Sequence, residues 1–267
     1  MNSFNSQLAK AVKNKKRHLC IGLDINPEGL NRNNASINDL KTHTQKVISA
    51  TEDLAVAFKP NLGFYERWGS TGFEWLEETM CLFEEDTIVI GDAKRGDIGN
   101  TAKQYAKSLF SHFGFNAVTL NPYMGFDSIE PFISDPKKGV FILCKTSNPS
   151  ASDFQNLTNN GEKMFELVAR KSFSWNKNEN VGLVVGATVP EQIIEVRRHA
   201  PGLPFLIPGV GAQGGSLGKS MKYGNKDGIS VINVSRSIIF SSDLSEKSIR
   251  SSAKDYVDKM RELVNEQ

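Results

Sequence analysis

Eight short apolar runs, separated by helical patterns, constrain the fold of this sequence more than any other feature. They are residues 19–25 (LCIGLDI), 54–60 (LAVAFKP), 87–93 (TIVIGDA), 117–122 (AVTLNP), 140–146 (VFILCKT), 181–187 (VGLVVGA), 204–210 (PFLIPGV) and 228–234 (GISVINV). Each is rich in β-branched or aliphatic residues, and none alternates polar with apolar. Strands of a parallel sheet covered by helices read this way. Eight strands alternating with helices predict one (β/α)8 TIM barrel of the α/β class, a single domain over residues 1–267. The length suits that fold, typically ~250 residues. An open, doubly wound sheet is the other arrangement that such alternation permits.

The intervening segments carry helix signals. Ser36 with Asp39 resembles a capping box, and Ile37, Leu40, Val47 and Ile48 share one face. Thr188 and Glu191, with Pro190 near the first turn, mark another start, and Pro201-Gly202 an end. Ile249, Ala253, Tyr256, Val257, Met260, Leu263 and Val264 form the apolar stripe of a final helix. Phe4, Leu8 and Val12 recur every fourth residue, which predicts an amphipathic N-terminal helix rather than a signal peptide. Residues 147–160, SNPSASDFQNLTNN, are long and polar, as expected of a mobile flap over a site.

Charge and composition narrow the function. The net charge of +2 gives no bulk attraction for nucleic acid or membrane. The basic cluster Lys13, Lys15, Lys16 and Arg17 reads as a solvated helix end. Three cysteines, Cys20, Cys81 and Cys144, lie far apart without a CxxC, as in a reduced cytoplasmic protein. The four histidines form no HxH or HxxxH pair, so a zinc site has little support. No window approaches the ~18 apolar residues of a membrane span.

In a barrel of this kind the chemistry sits at the C-terminal ends of the strands. Those ends carry Asp24, Lys59, Asp92 with Lys94, Asn121, Thr146 with Ser147, Thr188, Gly209 with Gly211, and Ser235 with Arg236. The densest cluster is Gly91-Asp92-Ala93-Lys94-Arg95-Gly96-Asp97. Asp92 and Lys94 face one side if the backbone is extended. Asp97 follows where the chain turns, and Lys59 on the neighbouring strand could extend the set to Lys-Asp-Lys-Asp. A structural ion-pair network closing the barrel mouth is the competing reading. The second cluster is Pro208-Gly209-Val210-Gly211-Ala212-Gln213-Gly214-Gly215. Its glycines can bare backbone N–H groups to a phosphate, and Arg236 can add a fork of donors. A tight turn needing positive φ is the alternative there.

These residues carry a resemblance. DAKRGDIGNT at 92–101 is similar to the signature of the orotidine 5′-phosphate decarboxylase family, in the longer bacterial variety with Arg-Gly between Lys and Asp. GLD at 22–24, FKPN at 58–61, NPYMG at 121–125, KTSNP at 145–149, PGVGAQGG at 208–215 and SRSI at 235–238 resemble the same family in order and spacing. DxKxxD alone is shared with related barrel enzymes; the whole set is specific. The resemblance implies loss of CO2 from carbon six of orotidine 5′-monophosphate to give uridine 5′-monophosphate, the last step of pyrimidine nucleotide synthesis. It implies no metal and no organic cofactor. It implies Lys94 as proton donor, flanked by Asp92 and Asp97, with Lys59 completing the tetrad. Asp24 and Lys59 would hold ribose hydroxyls, and Thr146 and Ser147 would meet the pyrimidine. Gln213, the glycine loop and Arg236 would take the phosphate, and Asn121 and Ser235 fall in motifs of the same set. It also implies a homodimer in which Asp97 and Thr101 reach the neighbouring subunit's site. One rival is a magnesium-dependent sugar-phosphate lyase of the same superfamily, which needs an acidic ligand where this chain has Lys59. A non-catalytic nucleotide-binding barrel is another, and it would not need the charged tetrad.

Overall fold

The computed structural model describes residues 3–32, 34–211 and 214–265. All eight apolar runs form strands: β1 Leu19–Leu23, β2 Ala57–Pro60, β3 Ile88–Arg95, β4 Ala117–Leu120, β5 Gly139–Lys145, β6 Val181–Val185, β7 Phe205–Pro208 and β8 Ser230–Val234. They pair in parallel and in chain order, and β8 closes on β1, with Leu19 opposite Ile232 and Ile21 opposite Val234. The sheet is therefore a closed barrel and not an open doubly wound one. The longer helices follow as α1 Phe4–Lys15, α2 Ile37–Thr51, α3 Leu62–Glu66, α4 Ser70–Met80, α5 Gly99–Lys107, α6 Glu130–Ile133, α7 Met164–Trp175, α8 Pro190–His199, α9 Leu217–Gly224, α10 Arg236–Ile239 and α11 Glu246–Asn265.

Strand alternation divides the core in two. Leu19, Ile21 and Leu23 of β1 pack with the outer helices. Cys20 between them belongs to an inner cluster with Ala57, Ile88, Ile90, Ala117, Phe141, Val184, Leu206 and Val231. Phe4, Leu8 and Val12 of α1 join that inner cluster, and the Phe4 ring meets Phe141 edge-on at 6.0 Å. The N-terminal helix thus packs on the apolar barrel interior. Its stripe of three buried residues, each worth ~1.5–3 kcal/mol on burial, explains why it docks there. The start of α1 is fixed by Ser3, whose Oγ accepts the Ser6 N–H at 3.3 Å.

The Ser36–Asp39 capping box opens α2 as the sequence predicts. Two helix details differ from expectation. The cap of α8 is Val189, without a side-chain bond, because Pro190 occupies the first turn and fixes the entry by its own φ. Thr188 therefore caps nothing. Val264 near the end of α11 is 45% exposed, since the stripe of that helix has turned off the barrel by then. Residues 147–160 carry local structure: a 3-10 turn at Pro149–Asp153, then a hairpin pairing Thr158–Asn159 with Glu162–Lys163.

Candidate active site

The inward positions that are apolar near α1 become polar at the C-terminal ends of the strands. Lys59, Asp92, Thr119 and Asn233 stand there, below a cavity of about 340 Å³. Asp24, Lys94, Thr146, Ser147, Gly209, Ser235 and Arg236 also line it, so most residues singled out from the sequence converge on one cavity.

Asp92 organises the floor. Its Oδ2 accepts from Lys59 Nζ at 2.6 Å, and its Oδ1 accepts from Lys94 Nζ at 2.5 Å and from Thr119 Oγ1 at 2.9 Å. Burial alone would raise the Asp92 pKa, but the two ammoniums outweigh it and hold the carboxyl well below its usual range. Burial likewise opposes the charged form of Lys59; Asp92, and then Asp24, reverse that and hold its pKa above the usual lysine value. Lys59 and Asp92 therefore hold each other in the charged form at neutral pH, with Asp24 a second carboxylate on the same cavity.

Lys94 reaches Asp92 by a different route from the extended strand expected. Between Gly91 and Arg95 the pairing with β4 slips, so four residues on β3 advance against two on β4. Lys94 takes φ 47, a left-handed backbone that costs a non-glycine residue about 1–2 kcal/mol. Its N–H donates at 3.0 Å to Thr119 Oγ1 instead of to a strand carbonyl. Such bulges re-aim side chains. Here the irregularity projects the Lys94 ammonium into the cavity while Thr119 fastens both its backbone and its partner Asp92. Sequence reasoning missed Thr119. It also missed Asn233, which accepts a weak bond from Cys20 Sγ at 3.6 Å. Both lie inside apolar runs, and their signal was inward register, two residues along from Ala117 and Val231. Asn61 and Asn148 line the cavity as well and were not singled out.

At the end of β1, Asp24 keeps a buried Oδ1 with no hydrogen-bond partner among the described residues. A buried acceptor of this kind is costly unless a ligand donor meets it. At the end of β5, the Gln155 side chain grips Thr146 at two points: Oε1 accepts the Thr146 N–H at 2.9 Å, and Nε2 donates to Thr146 Oγ1 at 2.7 Å. That pair ties the flap to the cavity wall beside Ser147.

The opposite wall is the glycine loop and α10. Gly209 and Gly211 have φ 98 and 81, the backbone region that favours glycine. Part of the loop's N–H supply is spent on the loop itself. Gly214 N–H donates to the Gly211 carbonyl at 2.8 Å and Gly215 N–H to the Gly209 carbonyl at 3.0 Å. Gln213 lies outside the described residues. Arg236 opens α10 and is solvent-exposed at the cavity wall, while Ser235 Oγ donates to the Gly22 carbonyl at 3.1 Å and ties the ends of β8 and β1 together.

Among the described residues, four expected site residues do not line this cavity: Gly211 of the glycine loop, Asp97, Thr101 and Asn121. Asp97 sits beyond β3, its Oδ1 accepting the Ile98 N–H at 2.8 Å, and Thr101 is exposed on α5. Asn121 is exposed too, and its Oδ1 accepts the Tyr123 N–H at 3.1 Å, which shapes the turn after β4.

Comparison with known proteins places the chain in a family. The family model described as orotidine 5′-phosphate decarboxylase / HUMPS family matches residues 17–250. A curated protein from Herpetosiphon aurantiacus, named orotidine 5′-phosphate decarboxylase, is 45% identical over 248 residues, 90% of each chain. One of the same name from Dehalococcoides mccartyi is 42% identical over 268 residues, 98% of this chain and 97% of that one. Among solved structures, OMP decarboxylase from Leishmania donovani superimposes with a TM-score of 0.87 at 37% identity, covering 98% of each chain. A Toxoplasma gondii structure, titled a putative orotidine-monophosphate-decarboxylase, gives 0.91 at 32% identity, covering 99% of this chain and 98% of that one. With the family model spanning most of the sequence and relatives above 40% identity along nearly all of it, the chain belongs to the orotidine 5′-phosphate decarboxylase / HUMPS family.

Proposed function

We propose that this enzyme, a carboxy-lyase, converts orotidine 5′-monophosphate to uridine 5′-monophosphate and CO2, the last step of de novo pyrimidine nucleotide synthesis, with residues 1–267 acting as one catalytic barrel domain. The observation that carries the reading is the Lys59–Asp92–Lys94 cluster on the cavity floor, 2.6 and 2.5 Å between partners, set opposite a glycine loop and Arg236.

The hard step breaks the bond between carbon six and the carboxylate carbon. CO2 departs and the electron pair stays on carbon six. No neighbouring group in the ring plane can delocalise that pair, so stabilisation must come from fixed charge. The Lys94 ammonium supplies it and then transfers a proton to carbon six, leaving a neutral amine that solvent reprotonates. Asp92 holds Lys94 in place, and its negative charge near the substrate carboxylate would favour departure of CO2. Lys59, with Asp24, would hold ribose hydroxyls, and the orphaned Asp24 oxygen suits that role. Thr146 and Ser147 would meet the pyrimidine, and Gly209, Gly211, Gln213 and Arg236 the phosphate. Closure of the flap over the nucleotide would exclude water and couple phosphate binding to the reacting centre.

The reaction as proposed needs neither metal nor organic cofactor. At the end of β2 the residue facing Asp92 is the buried Lys59 ammonium, which repels a divalent ion. This disfavours the magnesium-dependent lyase reading.

The working form we infer is a cytoplasmic homodimer. The loops after the adjacent strands β3 and β4 expose Ile98, Tyr123, Met124 and Phe126, apolar surface suited to a partner. Asp97 and Thr101 stand on the same rim outside their own cavity, as residues serving a neighbouring site would. No described helix is long and apolar enough to cross a membrane, and Cys20, Cys81 and Cys144 are unpaired thiols, as in a reducing compartment.

The direct test is a spectrophotometric assay of orotidine 5′-monophosphate loss in the presence of EDTA, with the product identified by mass. Stoichiometric uridine 5′-monophosphate at an undiminished rate is expected. No turnover, or turnover abolished by the chelator, would overturn the proposal.

A further inference from the structure

Three elements meet behind the glycine loop. Ser237, next to Arg236, lines the cavity, and its Oγ lies 3.1 Å from the Tyr256 hydroxyl of α11. The Ser237 carbonyl accepts from Ser252 Oγ at 2.8 Å, one turn earlier on the same helix. A Cβ added at Gly211 would stand 2.7 Å from the Tyr256 hydroxyl oxygen and 3.2 Å from Ser237 Oγ. The hydroxyl pair therefore packs directly against the loop that, with Arg236, faces the cavity. α11 holds Ser237 by backbone and by side chain at once.

The direction of the Ser237–Tyr256 bond decides what Ser237 can do. Either hydroxyl can be the donor by geometry; the phenol is the more acidic of the two, which favours the arrangement in which Tyr256 donates and Ser237 accepts. In that arrangement the Ser237 proton is left for the cavity side. A phosphate is an acceptor, and it gains from each donor turned toward it. With the opposite direction, Ser237 would present only lone pairs to an anion.

We propose that the Ser237 hydroxyl is a further ligand of the substrate phosphate, and that Tyr256 is a positioning residue that keeps it turned to donate. The inference rests on the phosphate reading given above, and its test separates the two.

Ser237→Ala, Ser237→Thr, Tyr256→Phe, the Ser237→Ala/Tyr256→Phe double variant and Arg236→Ala are compared for KM, kcat, thermal unfolding, and binding of uridine 5′-monophosphate against uridine. Ser237→Ala should raise KM and the nucleotide Kd by about tenfold, as expected for a lost bond to a charged group, and leave uridine binding and thermal unfolding unchanged. Ser237→Thr should restore the nucleotide Kd. Tyr256→Phe should act in the same direction but less, by roughly threefold, and the double variant should be no worse than Ser237→Ala, because both act through one hydroxyl. A nucleotide Kd within twofold of wild type in Ser237→Ala, while Arg236→Ala still separates nucleotide from nucleoside, would overturn the Ser237 role and leave the phosphate reading standing. If neither variant separates the two ligands, the phosphate corner itself is misassigned. Additive losses in the double variant would overturn the positioning role of Tyr256.

Discussion

Lys59 and Asp92 form a buried ion pair at the centre of the barrel mouth, 2.6 Å between Nζ and Oδ2, with side chains 6% and 10% exposed. Each charge is held there chiefly by the other, with Lys94 a second partner of Asp92 and Asp24 a second carboxylate near Lys59, and the pair links the stability of the site to its chemistry.

Removing one partner should be costly. Asp92→Asn leaves the Lys59 ammonium buried against Asp24 alone, and breaking a buried pair this way typically costs ~3–5 kcal/mol. The pH dependence has a definite sign. The folded pKa of Asp92 lies below its unfolded value, so its contribution is present above the unfolded carboxylate range, about pH 4, and fades as pH falls through and below it. The folded pKa of Lys59 lies above its unfolded value, so its contribution is present below about pH 10 and fades as pH climbs through that value and beyond. The stability deficit of Asp92→Asn, measured by urea unfolding, should therefore be widest between about pH 5 and 9 and narrow on both sides. A deficit independent of pH would show that the pair is not the source.

Thr119→Val tests the fastening of the bulge. It removes the donor to Asp92 Oδ1 and the acceptor of the Lys94 N–H while keeping the shape of the side chain. A buried group left unpaired costs about 1–3 kcal/mol, and kcat should fall by roughly tenfold or more as Lys94 loses its fixed geometry. Unchanged kcat would mean that the left-handed Lys94 backbone is held without Thr119.

Arg236→Ala should weaken the phosphorylated substrate strongly and spare the unphosphorylated nucleoside. The loss of a charge-assisted contact to phosphate predicts at least ~10-fold in the nucleotide Kd. Equal losses on both ligands would remove Arg236 from the phosphate site.

Subunit sharing has its own signature. Lys94→Ala and Asp97→Asn should each be nearly inactive alone. In a mixed dimer built by two-fold symmetry, one shared site collects both substitutions and the other collects neither. With free exchange about half the dimers are mixed, so roughly a quarter of sites should recover after partial unfolding and refolding together. Mixed dimers confirmed by mass but without recovered activity would place Lys94 and Asp97 in one chain's site.

The barrel was legible in the sequence because each strand is buried on both faces and reads as an unbroken apolar run, and because nearly every run ends in groups able to bind or react. Lys59, Asp92, Lys94, Asp24 and Arg236 were recognisable as charges that no apolar run would otherwise carry. Thr119 and Asn233 were not, since a hydroxyl or an amide inside a run such as AVTLNP or GISVINV resembles an ordinary strand residue until its inward register is known. The conformation of Lys94 was hidden for another reason. The spacing of Asp92 and Lys94 suggests a flat strand, whereas φ 47 and the slipped register arise from pairing with β4, a tertiary cause. The self-bonded amides of Gly214 and Gly215 were likewise invisible, because a glycine pattern does not say which N–H groups the loop consumes.

The most direct measurement is single-turnover decarboxylation of orotidine 5′-monophosphate by the wild-type chain and by Lys94→Ala, alongside the Kd of each for uridine 5′-monophosphate. If Lys94 stabilises and protonates carbon six, the variant should lose at least ~10²–10⁴-fold in the chemical step while binding product almost as well. A rate within tenfold of wild type, or a loss matched by an equal loss of product affinity, would contradict the assignment of Lys94 as the acid at the reacting carbon.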